Sequence, residues 1–249
     1  MPPFRSTIAR LLCDRRSLLQ RVNLKRFDLE RYPGWTAIGA DRQLSCSDVE
    51  PLSLAEILAR ASPEDRANWE RLSLAYPDDS RGDETLRRAI AKVYRTETVG
   101  GQHVASASPS AAGPGDFTVC VPAEGILLAM LALVQDGDRV VVTAPYYESL
   151  GEIARSLGAE VVPWMPRCES EDTEGDSSYH FHPDDLQALL TSSSSSDDDG
   201  RAPALVVLNF PHNPTGALPT AKDFEAIVAL CEERGARIFS DEMCTSSNC

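Results

Sequence analysis

Asn213 lies within the stretch Asn209-Phe210-Pro211-His212-Asn213-Pro214-Thr215-Gly216. Two prolines and a glycine make this turn stiff and irregular. The uncharged run 204–208 leads into it and reads as a strand covered on both faces. An amide carried just past such a strand end stands where open α/β sheets bind ligands. Asp241 has the same placement, at the end of the stretch 237–240, and Tyr147 follows another apolar strand, Arg139–Thr143, and Pro145. Each has a plain alternative when taken singly: a Pro-rich connecting loop for Asn213, an ordinary loop start for Asp241, a core tyrosine for Tyr147. His180-Phe181-His182 suggests a metal. Two histidines without a third ligand nearby are a weak signal, and His182-Pro183-Asp184-Asp185 reads as a helix start; no metal is assigned.

The elements around these residues alternate. A candidate strand at 117–121 is followed by a helix at 124–134, apolar almost all round and therefore expected to be buried. Then come strand Arg139–Thr143, a helix at 148–157, strand Glu160–Trp164, the strand before Asn213, a helix opened by Thr220, and a strand at 237–240. Such alternation predicts parallel βαβ units. Upstream, Ser53-x-x-Glu56 reads as a capping box and Ser62-Pro63 as a second helix start. A further helix follows Gly82, with Leu86, Ala89, Ile90 and Val93 as its expected buried stripe. Residues 100–115, 167–178 and 192–200 are polar or rich in Gly, Ser and Ala, and are expected to be flexible.

Composition narrows the function classes. The chain has 249 residues, 42% of them hydrophobic, and a net charge of −14. That charge argues against nucleic acid as a partner, and no apolar run is long enough to span a membrane. Seven cysteines without a Cys-x-x-Cys read as reduced thiols rather than a disulfide framework. A cytoplasmic location is favoured. The alternative is a mitochondrial presequence, since Arg5, Arg10, Arg15, Arg16, Arg21, Lys25 and Arg26 stand against one acid, Asp14, in residues 1–27.

The stretch 209–216 resembles the Asn-Pro-x-Asn-Pro-Thr-Gly loop of the class I/II aminotransferases, pyridoxal-phosphate (PLP) enzymes of fold type I. In that family the second Asn hydrogen-bonds the phenolic oxygen of the cofactor ring, and the resemblance assigns this role to Asn213. Three further landmarks fall in order. Tyr76, ahead of Gly82-x-x-x-Leu86-Arg87-x-Ala89-Ile90-Ala91, matches a tyrosine that reaches the cofactor phosphate of the neighbouring subunit; a packed surface tyrosine is the alternative. Gly137-Asp138-x-Val140-Val141-Val142-x-x-Pro145-x-Tyr147 matches a segment whose aromatic stacks on the ring, which implies that role for Tyr147. Ser240-Asp241-Glu242 matches the aspartate set against the pyridine nitrogen. A carboxylate there keeps the nitrogen protonated and the ring an electron sink. The wording around 209–216, with Pro163-Trp164, is similar to the capreomycidine-synthase-like branch.

The pattern also breaks. The family's phosphate cup of backbone N–H groups falls on Cys120, Val121 and Pro122, and Pro122 has no N–H to give. Cys244 stands where the family has a tyrosine bonded to the same phenolic oxygen. The family's Schiff-base lysine follows the aspartate, whereas the lysines here are 25, 92 and 222. The resemblance therefore implies an α/β fold, a mostly parallel sheet with helices on both faces. It would be an incomplete PLP-transferase large domain at 51–249, preceded by an N-terminal arm at 1–50 and lacking the small C-terminal domain. The implied activity of the full-length relative is amino-group transfer between an amino acid and a 2-oxo acid, in a homodimer. This chain is expected to be C-terminally truncated and inactive. A non-catalytic partner of an intact subunit is the second reading. A nucleotide-binding domain is the third, disfavoured because no strand is followed by Gly-x-Gly-x-x-Gly.

Overall fold

A computed structural model describes residues 24–25, 27–28, 51–76, 79–94, 96–99, 102–105, 113–170, 177–191 and 203–244. The chain divides into two compact units, Glu50–Gly125 and the remainder, Met1–Val49 with Ile126–Cys249. The expected arm at 1–50, apart from the four residues named, and the expected flexible segment 192–200 lie outside the described residues.

In the unit Glu50–Gly125, helix α1 (Leu54–Arg60) starts at the expected capping box: the Glu56 N–H donates to Ser53 Oγ and the Ser53 N–H to Glu56 Oε2. Helix α2 (Pro63–Glu70) starts at Ser62, with Pro63 in its first turn. Helix α3 (Glu84–Tyr94) forms as expected, but its buried face does not follow the apolar residues. Leu86 and Val93 are exposed, whereas Arg87 is 3% exposed and Ala91 is buried. A guanidinium can be buried when its donors find acceptors. Arg87 donates from Nε to the Gly82 carbonyl at 3.2 Å, from Nη1 to the Pro114 carbonyl at 2.7 Å and from Nη2 to Asp79 at 2.5 Å.

Two other expectations for this unit need correction. The segment 100–115 is not one irregular loop: β1 (Thr96–Val99) and β2 (Gln102–Ala105) pair as an antiparallel hairpin, and Pro114–Asp116 is a turn of 3₁₀ helix. Residues 117–121 form no strand. A strand requires a neighbouring ladder, and this segment joins none among the described residues; its Val119 N–H donates to the Arg81 carbonyl at 2.8 Å.

Helix α4 (Pro122–Leu133) crosses the boundary between the units in sequence. In the larger unit it is followed by β3 (Arg139–Thr143), α5 (Glu148–Ser156), β4 (Glu160–Trp164), the antiparallel hairpin β5 (Arg167–Ser170) and β6 (Ser177–His180), α6 (Pro183–Thr191), β7 (Leu205–Asn209), α7 (Ala221–Arg234) and β8 (Arg237–Asp241). The hairpin corrects the expectation that all of 167–178 is flexible. Four strands form a wholly parallel sheet in the order β4-β3-β7-β8. Side chains alternate across it, as the two-residue strand period requires. Val140, Val142, Leu205 and Val207 pack on one face with Ile126, Met130, Leu150 and Ile153 from α4 and α5. Val141, Val206 and Leu208 pack on the other with Leu186, Leu190, Ile227 and Cys231 from α6 and α7.

The α/β architecture with helices on both faces is thus as expected. Helix α4 is not buried all round: Ile126 and Met130, four apart, face the sheet, and Leu128 and Leu131 are exposed. Being apolar all round does not bury a helix whose neighbours cover a single face.

Candidate functional site

The carboxyl ends of β3, β7 and β8 lie side by side, because the three strands are parallel and adjacent. That edge carries Tyr147 beyond β3, Asn213 beyond β7 and Asp241 at the last residue of β8. The sequence-derived residues of this unit are therefore gathered on one sheet edge. Tyr147 precedes the first turn of α5 and is half-buried against the apolar cluster beneath. Its neighbour Tyr146 lies so close to Gly151 that a Cβ there would stand 2.6 Å from the tyrosine ring. Arg155, paired with Glu152, donates to the Tyr146 hydroxyl at 3.2 Å. The glycine in the middle of α5 thus seats the turn that carries Tyr147.

The loop after β7 is held from within. Gly216 takes φ +71°, a left-handed conformation that favours glycine. Its N–H donates to the His212 carbonyl at 2.7 Å, and the His212 N–H donates to the Ala217 carbonyl at 2.9 Å. His212 is 2% exposed, and its Nδ1 shares a 2.7 Å hydrogen bond with Thr215 Oγ1. Its ring stacks edge-on against Phe181 at 4.7 Å, in a cluster with Phe210 and Trp164. Burial pushes the His212 pKa down, partly offset by the Pro145 backbone carbonyl. The Ala144-Pro145, Phe210-Pro211 and Asn213-Pro214 bonds are cis.

Asn213 and Asp241 are linked through a residue not singled out from the sequence. Asn209, 3% exposed, ends β7 in register with Asp241. Its Oδ1 accepts from the Asn213 N–H at 2.8 Å, and its Nδ2 donates to the Asp241 carbonyl at 3.2 Å. Its own N–H donates to the buried Thr143 Oγ1 at 3.1 Å. The signal in the sequence was slight: one amide opening the stretch 209–216, directly after the apolar run 204–208. The Asp241 carboxylate accepts from the Met243 N–H at 3.2 Å. Burial raises its pKa, and the Glu242 charge beside it adds to this against the opposing Met243 hydrogen bond. A half-buried carboxylate held this way is stabilised in its charged form by a cationic partner.

A neighbouring apolar cleft of about 380 Å³ is walled by Phe210, Pro211, Leu218, Phe224 and Glu242 among others; neither Asn213 nor Asp241 lines it. The remaining sequence-derived residues belong to the unit Glu50–Gly125. Tyr76 is 99% exposed there and Val121 65%, and Cys120 is exposed, its Sγ 3.1 Å from where a Cβ on Gly125 would be. Pro122 is the first residue of α4, so that helical position has no N–H to offer. Cys244 is buried. No group of metal-ligating side chains occurs among the described residues, and no described helix is long and apolar enough to cross a membrane.

Known proteins are similar to this chain in sequence and fold. Capreomycidine synthase of Streptomyces vinaceus is 34% identical over 142 residues, 55% of this chain and 28% of that protein. Arginine–pyruvate transaminase AruH of Pseudomonas aeruginosa is 31% identical over 169 residues, 66% of this chain and 36% of the relative. The chain thus spans about a third of these relatives' length. A PLP-dependent aminotransferase from Streptococcus suis superposes with a TM-score of 0.66 at 24% identity, covering 88% of this chain and 51% of that structure. The PLP-dependent cyclase OrfR superposes with a TM-score of 0.60 at 29% identity, covering 87% and 48%. The fold is therefore that of the PLP-dependent transferases of fold type I, of which this chain covers about half. A family model, "Aminotransferase class I and II", matches residues 74–244, and with that match across the parallel sheet and its loop-borne Asn213 and Asp241 the chain belongs to the class I and II aminotransferases.

Proposed function

We propose that the carboxyl edge of this sheet holds the ring of pyridoxal 5′-phosphate, in a protein that transfers an amino group between an amino acid and a 2-oxo acid. The observation that carries the reading is the tie from Asn213 through Asn209 to Asp241. It fixes an amide donor and a carboxylate on one edge, and the carboxylate's raised pKa suits a protonated ring nitrogen. Asn213 would hold the phenolic oxygen, Asp241 would keep the nitrogen protonated, and Tyr147 would cover a ring face. The bound cofactor supplies an electron sink to the substrate amino acid. For the phosphate, the resemblance nominates Cys120, Val121 and, from the neighbouring subunit of a homodimer, Tyr76. Among these 249 residues no lysine follows Asp241. The 249-residue chain by itself would therefore hold the cofactor without covalent attachment and without turnover.

Titration of the 249-residue chain with PLP, followed by the coenzyme's absorbance, tests this. Binding is expected to weaken about tenfold in Asn213→Ala and in Asp241→Asn, one charge-assisted or neutral hydrogen bond each. Affinity should fall as pH is lowered through the raised Asp241 pKa, because the protonated carboxyl no longer attracts the ring nitrogen. Asp241→Asn should flatten that dependence. Borohydride treatment should leave no cofactor fixed to Lys25, Lys92 or Lys222. A wild-type chain that binds no PLP, or variants that bind it equally well, would overturn the reading.

A further inference from the structure

We infer that Asn209 is a positioning residue that sets the separation of Asn213 and Asp241; the inference deepens the PLP reading and rests on it. Three observations converge on this side chain. It is almost fully buried, at the point where β7 ends and the loop begins. Each half of its amide serves a different neighbour: the oxygen takes the N–H of Asn213, and the nitrogen gives to the main-chain carbonyl of Asp241. Its backbone N–H is fastened in turn to Thr143 on β3, the strand that leads to Tyr147. One planar group of fixed length thus spans two strand ends, and a third is tied to it through the backbone.

The arrangement has a physical logic. Parallel β7 and β8 stay in register up to Asn209 and Asp241, where the ladder runs out. At that point the Phe210 N–H donates to the Asp241 carbonyl at 3.3 Å, and the Asn209 amide donates to the same carbonyl. The amide continues the ladder by one side-chain rung. It bonds the backbone of both gripping residues and not their side chains. A ligand held by two groups on separate strands is bound well only if their spacing is already correct. Asn209 acts through Asn213 and Asp241 and does not itself need to touch the ring.

The test is a double-mutant cycle on the 249-residue chain with PLP as probe. Asn209→Ala is expected to weaken PLP binding about tenfold, as loss of a shared hydrogen bond would. Because Asn209 acts through Asn213, the Asn209→Ala/Asn213→Ala double variant should bind about as weakly as Asn213→Ala alone, departing from additivity. Asn209→Ser is the second variant should alanine prevent folding; its hydroxyl reaches at most one of the two neighbours, and it should weaken binding in the same direction. A side chain that merely stabilised the fold would lower resistance to urea and leave the PLP affinity of the folded chain unchanged, or give multiplying effects in the cycle; either result overturns the inference. Amide exchange without PLP supplies an independent readout. The Asn213 N–H should exchange about tenfold faster in Asn209→Ala while Val206 and Val207 keep their protection; unchanged exchange at Asn213 overturns the tie. A wild-type chain that fails to bind PLP sinks the cofactor reading, and the exchange measurement still decides the role of Asn209.

Discussion

Arg87→Ala should loosen helix α3 far more than any of the apolar residues on that helix would suggest. The Arg87 guanidinium donates to two main-chain carbonyls, Gly82 and Pro114, at 3.2 and 2.7 Å. Hydrogen bonds from a charged donor contribute roughly 1.5–3 kcal/mol each, and the partly exposed acceptor residues Gly82 and Pro114 bring these two toward the lower end. Together they amount to about 3 kcal/mol. The Asp79 contact adds little, since that carboxylate is open to water and keeps Arg81, whose hydrogen bonds already hold its pKa below the usual range. The chain consists of two units, so a single unfolding midpoint would mix them. Amide exchange of residues 87–94 reads the local effect directly. About 3 kcal/mol corresponds to roughly two decades faster exchange in the variant. Arg87→Lys should recover less than half, because one ammonium cannot span both carbonyls as the planar fork does. Acceleration below about tenfold, or full recovery by lysine, would refute the claim that this buried fork, rather than the apolar stripe, anchors α3.

Two further outcomes follow from the larger unit. His212 has its pKa lowered by burial, so below about 6.5 the unfolded chain takes up a proton that the folded chain refuses. Stability contributed by neutral His212 is present above that pH and is lost as pH falls toward the folded value. Urea midpoints of the larger unit, followed by amide exchange at Val206 and Val207 from pH 7.5 to 5, should drop less in His212→Gln than in wild type, and parallel curves would refute this. The Cys231 thiol, buried between α7 and the sheet, has its pKa pushed up to about 11. Iodoacetamide at pH 8 should label Cys120 and Cys168, both exposed, and reach Cys231 only in urea; equal labelling rates in the native chain would contradict the packing described.

Local sequence determined the elements whose signals are local. Ser53 with Glu56, Ser62 with Pro63 and Thr220 start their helices where the side-chain oxygens meet the first free amides. The runs at Arg139–Thr143 and Leu205–Asn209 are central strands of the parallel sheet, their apolar residues buried on both faces, and Glu160–Trp164 is an edge strand that leaves Glu160 and Pro163 exposed. The stiff loop around Asn213 and the acid ending β8 were legible for the same reason, and both stand on the carboxyl edge. Tertiary structure decided what depends on distant acceptors and neighbours. Arg87 is buried and Leu86 is not because Gly82, Pro114 and Asp79 converge on a guanidinium, a fact no periodicity contains. Residues 117–121 are strand-like in composition but join no ladder among the described residues. In the sequence Asn209 is only the first residue of the irregular stretch after the apolar run 204–208. Only the pairing of β7 with β8 sets its amide between the Asn213 loop and Asp241, since hydrogen bonds across a sheet link residues that the chain itself keeps far apart.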